Sequence, residues 1–381
     1  MTTQGTTHSK LEPNIPELTT RDGITLPLRH FAPTRPQDRT VLLLHGASAS
    51  SATFEVPTWN GGSRGIVDYL CMQGFDVWTL DWRGGKHIAG DSKYAKGPQA
   101  LTLDGAAEYD LPEAIAFIRA RMKGTQLAVV GHCLGAAAMA MAIGAGFVTH
   151  RDVQHVVLTA IGLFYDVTWD GWVKADDQVL ERSLITQPET LSINCNAQAN
   201  PWPTAIQSAY SHWPAALLPE RPPEHPFARL TFMFGRPFLE GLVAQQDQTQ
   251  EVLRERFGAI PIALYIQAGQ NVRRGFAAPY DDTSWGPAAC APRAADGKLD
   301  AQGAGKYMHV ERFAGMRVTL MTGALNQLWH PDSIRRMYEW LKRDKRVQVT
   351  KKILPGYGHQ DLYWATKAPV EVYPSILDGI R

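Results

Sequence analysis

The chain has 381 residues, 44% of them hydrophobic and 20% charged, which is the composition of a globular protein with one large interrupted domain or two domains. Its 38 Lys and Arg balance 37 Asp and Glu, so the chain lacks the net positive charge with which proteins bind nucleic acid non-specifically. The sequence does not indicate an oligomeric state. Four scattered cysteines without a C-x-x-C pair favour a reducing, cytoplasmic location over a disulfide framework or a zinc site. The sequence predicts neither a secretory leader nor an integral membrane segment.

Short apolar runs alternate with helical patterns along the first part of the chain. Runs that end in glycine or a polar turn residue, as buried parallel strands do, occur at 41–45, 75–80, 127–131 and 155–161. Residues 63–73 and 104–123 between them have helical spacing. This alternation predicts an α/β protein with a doubly wound, mostly parallel sheet.

The pattern stops in the middle of the chain and then resumes. Of the 25 prolines, 13 lie between residues 188 and 292, so we expect irregular structure there. Strands at 316–321 and 347–354 and helices at 332–345 and 368–380 follow. The predicted organisation is a flexible N-terminal arm at 1–17, a core formed by 18–161 and 315–381, and an inserted cap at 162–314.

One cysteine follows a predicted strand and precedes a segment rich in Ala and Met. The sequence there reads Gly131-His132-Cys133-Leu134-Gly135, the G-x-C-x-G form of a nucleophile elbow. The central residue of this strained turn faces substrate, and Gly131 and Gly135 are small enough for strand and helix to pass. A helix N-terminus favours the thiolate, so we predict Cys133 to be a nucleophile. The other cysteines are predicted to be structural: Cys71, Cys195 and Cys290.

A nucleophile of this kind needs a base and a group that orients the base. His359 lies in a Gly-rich loop just after the last predicted strand, at the sheet edge to which the elbow points. Asn326, in the loop after the strand at 316–321, stands where an acid is usual, and a neutral amide can orient the ring for a thiol nucleophile. Asp332 and Asp166 are the alternatives, so a Cys-His-Asn triad is predicted with its third member open.

The negative oxygen of an acyl-transfer intermediate needs hydrogen-bond donors. We expect the backbone N–H of Leu134, which follows the nucleophile, and that of Ala47, in the loop after the first central strand. His45-Gly46 before it would allow close approach of the backbone.

With these residues placed, the chain resembles proteins with the α/β-hydrolase fold over most of its length. Several segments are similar to the acid lipase and cholesterol-esterase branch: Leu44-His45-Gly46, Gly74 to Trp78, Asp81-Trp82-Arg83-Gly84, Tyr109 to Pro112 and Gly356 to His359. The His-Cys elbow, Thr231 to Pro237, Gly323 to Gln327 and the ending from Gly356 to Leu377 resemble the hydrolase-like module fused to cholesterol-oxidase-type flavoenzymes. The resemblance implies the fold, the site geometry and a lipid-like substrate.

Three functions remain open from the sequence. Hydrolysis of a hydrophobic ester or thioester through a thioester on Cys133 is favoured. Acyl transfer, cyclisation or polymerisation through the same intermediate is the first alternative, because the elbow and Trp82-Arg83 are similar to polyhydroxyalkanoate synthases. An inactive binding protein is the second. No cofactor is predicted, since no G-x-G-x-x-G follows the first strands, and no histidine shows metal-ligand spacing.

Overall fold

A computed structural model describes most of the chain, namely residues 14–33, 35–56, 65–89, 101–122, 126–176, 190–192, 204–280 and 305–381. Its ten strands, within those ranges, are β1 Glu17–Thr19, β2 Thr25–Phe31, β3 Arg39–Leu44, β4 Phe75–Leu80, β5 Gln126–His132, β6 His155–Thr159, β7 Thr190–Ser192, β8 Ala259–Pro261, β9 Arg317–Gly323 and β10 Gln348–Leu354. Cys195 and Cys290 lie outside the described residues.

Eight strands form one sheet in the order β1-β2-β4-β3-β5-β6-β9-β10. The last six in this order run parallel to one another, whereas β1 and β2 add an antiparallel edge that the sequence pattern does not reveal. The pattern therefore correctly predicts a mostly parallel sheet. Asn14 and Glu17, assigned to the N-terminal arm, pair with strand β2.

Strands β3 and β5 lie at the centre of the sheet, and their burial explains their composition. From Thr40 to Leu44 and from Leu127 to His132 every residue is buried. Alternate side chains point to opposite faces, so continuous burial means that both faces are covered, and such strands read as unbroken apolar runs.

The helices, in the same described ranges, begin and end as follows: α1 Gly65–Met72, α2 Lys86–Ala89, α3 Leu103–Gly105, α4 Leu111–Arg119, α5 Leu134–Ala145, α6 Trp169–Asp176, α7 Thr204–His212, α8 Pro226–Phe234, α9 Gln250–Arg256, α10 Ile262–Arg274, α11 Asp332–Leu341, α12 Asp361–Trp364, α13 Ala368–Glu371 and α14 Tyr373–Ile380. A π-helical turn, Ala106–Asp110, joins α3 to α4. It places Asp110 against Arg83, whose guanidinium is fully buried and bonds to Asp110 at 2.6 Å and to Asp22 at 3.0 Å.

The segment between β6 and β9 is not irregular, as its prolines suggest, but helical in its described parts. Helices α6 to α10 lie there, with β7 and β8 as a small antiparallel pair. Pro226 occupies the first turn of α8, and Pro261 is the residue that caps α10. Proline is tolerated at these positions because the first N–H groups of a helix have no partner within it.

Candidate active site

Cys133 occupies a sharp turn between β5 and α5. Its backbone has φ 54° and ψ −134°, a conformation that costs about 1–3 kcal/mol for a residue with a side chain. A Cβ on Gly131 would lie 2.7 Å from Ala136 Cα, and one on Gly135 would lie 2.3 Å from the His45 carbonyl oxygen. Both neighbours are therefore required to be glycine for steric reasons, as the elbow motif predicts.

One hydrogen bond and two nearby backbone N–H groups act on the Cys133 sulfur. The N–H groups of Ala47 and Leu134 lower the pKa of the thiol. The hydrogen bond comes from the indole Nε1 of Trp329, 3.4 Å from Sγ, a residue that no sequence motif singles out. The close approach of the 46–47 loop depends on Gly46, since a Cβ there would lie 2.9 Å from Cys133 Cβ. The two predicted oxyanion donors and the predicted nucleophile thus come together.

His359 lies in the loop between β10 and α12 and lines the same cavity as Cys133. It is 1% exposed, its ring is 4.5 Å from that of His132, and its Nδ1 has no hydrogen-bond partner among the described residues. A residue between β6 and β9 contacts this loop, because Gln360 N donates a hydrogen bond to the Pro237 carbonyl at 2.8 Å. The Asp361 carboxylate also holds the loop, since it accepts from Gly358 N at 2.6 Å, but no carboxylate among the described residues bonds to the His359 ring.

None of the three candidates for the third triad position is bonded to His359 in the described structure. The Asn326 side-chain oxygen accepts from Leu328 N at 3.0 Å and Trp329 N at 3.2 Å, and its Nδ2 donates to Thr322 Oγ1 at 3.3 Å.

The two alternative acids are also engaged elsewhere. Asp166 bonds to Arg336 at 2.8 and 2.9 Å, while Asp332 is half exposed and pairs with Arg335 at 2.6 Å. Each polar group expected near His359 is thus satisfied by a closer partner.

Burial sets the electrostatics of the site. It raises the pKa of the Cys133 thiol to about 11, although the donors from Trp329, Leu134 and Ala47 oppose it. Burial also lowers the pKa of His359 to about 3, with no opposing partner. A thiolate–imidazolium pair is therefore not the resting state, because both groups are neutral at pH 7.

The cavity beside Cys133 has an empty volume of about 950 Å³. Its walls are mostly apolar and come from both the sheet core and the segment between β6 and β9: Val167, Leu230, Met233, Phe234, Phe257, Ile260, Val272 and Leu328. Lys174 also lines it, but its Nζ donates to the Phe232 carbonyl at 2.8 Å and to Asp170 at 3.3 Å. Its charge is thus already paired, so the cavity suits an apolar ligand.

Two absences hold for the part of the chain that the structure describes. No group of three or more His, Cys, Asp or Glu side chains there could hold a metal ion. No helix of these residues is long and apolar enough to cross a membrane.

The chain is similar in sequence to known proteins over part of its length. Residues 39–191 match the family model described as alpha/beta hydrolase fold. Human lipase member K is 32% identical over 128 residues, which are 31% of this chain and 31% of the lipase. The chain thus matches about a third of the length of this curated relative.

Two solved structures resemble nearly the whole chain. A lipase in its open form has a TM-score of 0.58 at 13% identity, with 97% of this chain and 98% of the lipase covered. DcsB in complex with its substrate analogue has a TM-score of 0.51 at 17% identity, with 97% of this chain and 99% of DcsB covered. The chain therefore has the α/β-hydrolase fold, with Cys133 at the turn between β5 and α5.

Proposed function

We propose that the protein cleaves ester or thioester bonds of a hydrophobic acyl substrate through a thioester on Cys133. The observation that carries this proposal is the arrangement at the elbow, where a strained cysteine meets two backbone N–H donors at the wall of an apolar cavity. Strain at one residue persists only where the surrounding structure enforces it, and it is concentrated at functional sites. The match to a lipase and the α/β-hydrolase fold support ester chemistry.

The proposed reaction has two halves. The imidazole of His359 takes the thiol proton as the sulfur attacks the acyl carbon, and the N–H groups of Ala47 and Leu134 bind the oxygen that becomes negative. The leaving alcohol or thiol departs with the proton from His359 and leaves a thioester. An acceptor, deprotonated by His359, then attacks the thioester, and the sulfur leaves and regains its proton.

The cavity supports the substrate class. The walls around Cys133 are mostly apolar, as is typical of small-molecule sites. These apolar walls favour an acyl chain, in keeping with the lipid-like substrate implied by the sequence resemblance. We propose residues 162–314 as an inserted cap, because described residues of this range, such as Leu230 and Val272, line the cavity. Cytoplasmic reducing conditions would keep the Cys133 thiol available.

Water is the proposed acceptor, and an alcohol is the second candidate. A thioester buried among apolar walls is shielded from water, so the same geometry serves acyl transfer when an apolar alcohol shares the cavity. The two reactions share every residue of the first half and differ only in the acceptor.

Turnover of p-nitrophenyl acyl esters by single-cysteine variants tests the proposal. We expect Cys133→Ala to lose at least about 10³-fold in kcat/KM, because the variant lacks the proposed nucleophile. Cys71→Ala is the matched control, since Cys71 is buried in α1, bonded to the Phe31 carbonyl at 3.6 Å and outside the cavity lining. Equal activity in the two variants would show that Cys133 is not the nucleophile.

Graded butanol in the same assay separates the two acceptors. Free acid as the sole product at every alcohol concentration would dismiss transfer. A butyl ester that increases with butanol would establish it.

A further inference from the structure

Among the described residues, the indole of Trp329 is the side-chain group that hydrogen-bonds to the Cys133 sulfur. Its Nε1 lies 3.4 Å from Sγ, and the whole residue is 8% exposed. An indole N–H can only donate, so the sulfur is the acceptor. The sulfur thus faces a side-chain donor in addition to the two backbone donors at the elbow.

Trp329 is held by contacts on both its backbone and its ring. The Asn326 side-chain oxygen accepts from Trp329 N at 3.2 Å, and the ring packs edge-on against Tyr165 at 5.4 Å. The loop itself is tied to β10, where Ala324 N donates to the Leu354 carbonyl at 2.8 Å. The direction of the indole N–H is therefore fixed before any substrate binds.

We infer that Trp329 is a catalytic residue whose indole N–H hydrogen-bonds to the reacting sulfur, and that Asn326 is the positioning residue that aims it. The catalytic role of Trp329 rests on the proposed function, whereas the hydrogen bond to the sulfur is observed independently of it. It also gives Asn326 a role that its observed contacts serve, in place of the orientation of His359.

The donor acts at the two moments when the sulfur carries negative charge. In the first half of the reaction it stabilises the sulfur as the proton passes to His359. In the second half the carbon–sulfur bond breaks and its electron pair returns to sulfur, which the N–H stabilises again before the sulfur regains the proton. Hydrogen bonds to a charged atom are about twice as strong as neutral ones.

The electrostatics of the thiol agree with this geometry. Burial raises the pKa of Cys133, and among the groups that lower it Trp329 acts more strongly than the N–H of Leu134 or Ala47.

Alkylation of Cys133 by iodoacetamide at constant pH tests the hydrogen bond without any substrate. We expect Trp329→Phe to react about tenfold more slowly, which corresponds to a rise of about one unit in the thiol pKa. If Trp329 only packed against the sulfur without a hydrogen bond, Trp329→Phe would react faster, because phenylalanine is smaller and opens the cavity. Trp340→Phe is the matched control, since Trp340 is 7% exposed and packs on Phe164 and Phe313. Trp329→Leu provides a second donor-free variant if Trp329→Phe does not fold.

A double-mutant cycle tests the role of Asn326. Asn326→Ala removes the acceptor for Trp329 N, so we expect it to slow alkylation in the wild-type background. In the Trp329→Phe background it should have no further effect, because the two residues act through one hydrogen bond. Additive effects would show that Asn326 acts through another group and would overturn this part of the inference.

The outcomes separate the inference from the proposed function. Unchanged or faster alkylation of both Trp329 variants, with an acyl adduct still formed on Cys133, would overturn the inference alone. Slower alkylation together with no acyl adduct in the wild-type protein would retain the hydrogen bond and overturn the function.

Discussion

A thiol and an imidazole that are both buried lose their charged forms before either can stabilise the other. Cys133 and His359 are in this situation, with pKa values of about 11 and about 3. The helix N-terminus and the hydrogen-bond donors at the sulfur oppose the effect of burial on the thiol but do not overcome it. The catalytic pair is therefore a neutral thiol beside a neutral base, and charge develops only during the reaction.

A pH profile of kcat/KM for an activated ester tests this description. Lowering the pH protonates His359 only near pH 3, and raising it ionises Cys133 only near pH 11. We expect a plateau between about pH 7 and about pH 9, because neither free-enzyme group titrates there and the Asp361 carboxyl in the His359 loop, whose pKa burial raises to about 6, is already ionised. An inflection near 6.5, the ordinary value for histidine, that persists in Asp361→Asn would mean that the imidazole carries a proton in the working range and would contradict the neutral pair.

The position of Asn326 along the chain can be predicted from the sequence, but the groups that its side-chain amide contacts cannot. The spacing after β9 correctly places it at the sheet edge that carries the site. Its amide is then used by the backbone of the turn that it begins, through Leu328 N and Trp329 N. Local bonds of this kind are short-range, and Asn side chains commonly make them. The sequence offers no signal for Trp329, because a donor from an isolated tryptophan belongs to no motif.

At the scale of the elements, the nucleophile elbow depends on the close crossing of β5, α5 and the end of β3. Gly135 is the tightest point, because a Cβ there would lie 2.3 Å from the His45 carbonyl oxygen and 2.9 Å from that of Leu44. Both contacts are with backbone of the central sheet, which cannot move without disturbing the loop that carries Ala47.

Gly135→Ala is therefore expected to destabilise the protein by about 1–3 kcal/mol and to reduce activity by displacing the Ala47 N–H. Gly241→Ala is the matched control, since a Cβ at Gly241 would meet nothing within 4 Å. Urea denaturation midpoints and kcat/KM for both variants provide the measurement. A Gly135→Ala protein as stable and active as Gly241→Ala would show that the elbow tolerates a side chain there.

The parallel strands are predictable where they are apolar runs bounded by turn residues, as in β3, β4 and β5, and β4 matches its predicted range of 75–80. The helices between β6 and β9 are not predictable in this way, because a high density of prolines by itself indicates irregular structure. Proline breaks a helix only in its interior, and here Pro226 and Pro261 lie at helix starts. The sequence pattern does not predict the antiparallel edge, β1 and β2, because its strands are short or only partly buried.

At the scale of the whole molecule, the sheet order explains why distant parts of the chain form one site. The loops after β3, β5, β9 and β10 carry Ala47, Cys133, Trp329 and His359 in turn. These strands are parallel, so their carboxyl ends lie at the same edge of the sheet. The cavity forms between that edge and the residues from the inserted segment, such as Leu230 and Val272. The place of the site follows from the order of elements, whereas its apolar character depends on the packing of the insertion.

Intact-mass analysis of the rapidly quenched protein detects a covalent acyl-enzyme on Cys133 without depending on the acceptor. With a panel of hydrophobic ester and thioester donors, we expect the mass of one acyl group on the wild-type protein. That group should map to the Cys133 peptide and be released by neutral hydroxylamine, as a thioester is. Cys133→Ala should gain no mass, while Cys71→Ala should match the wild type. No adduct from any donor, or an adduct that persists in Cys133→Ala, would show that Cys133 does not form the acyl-enzyme.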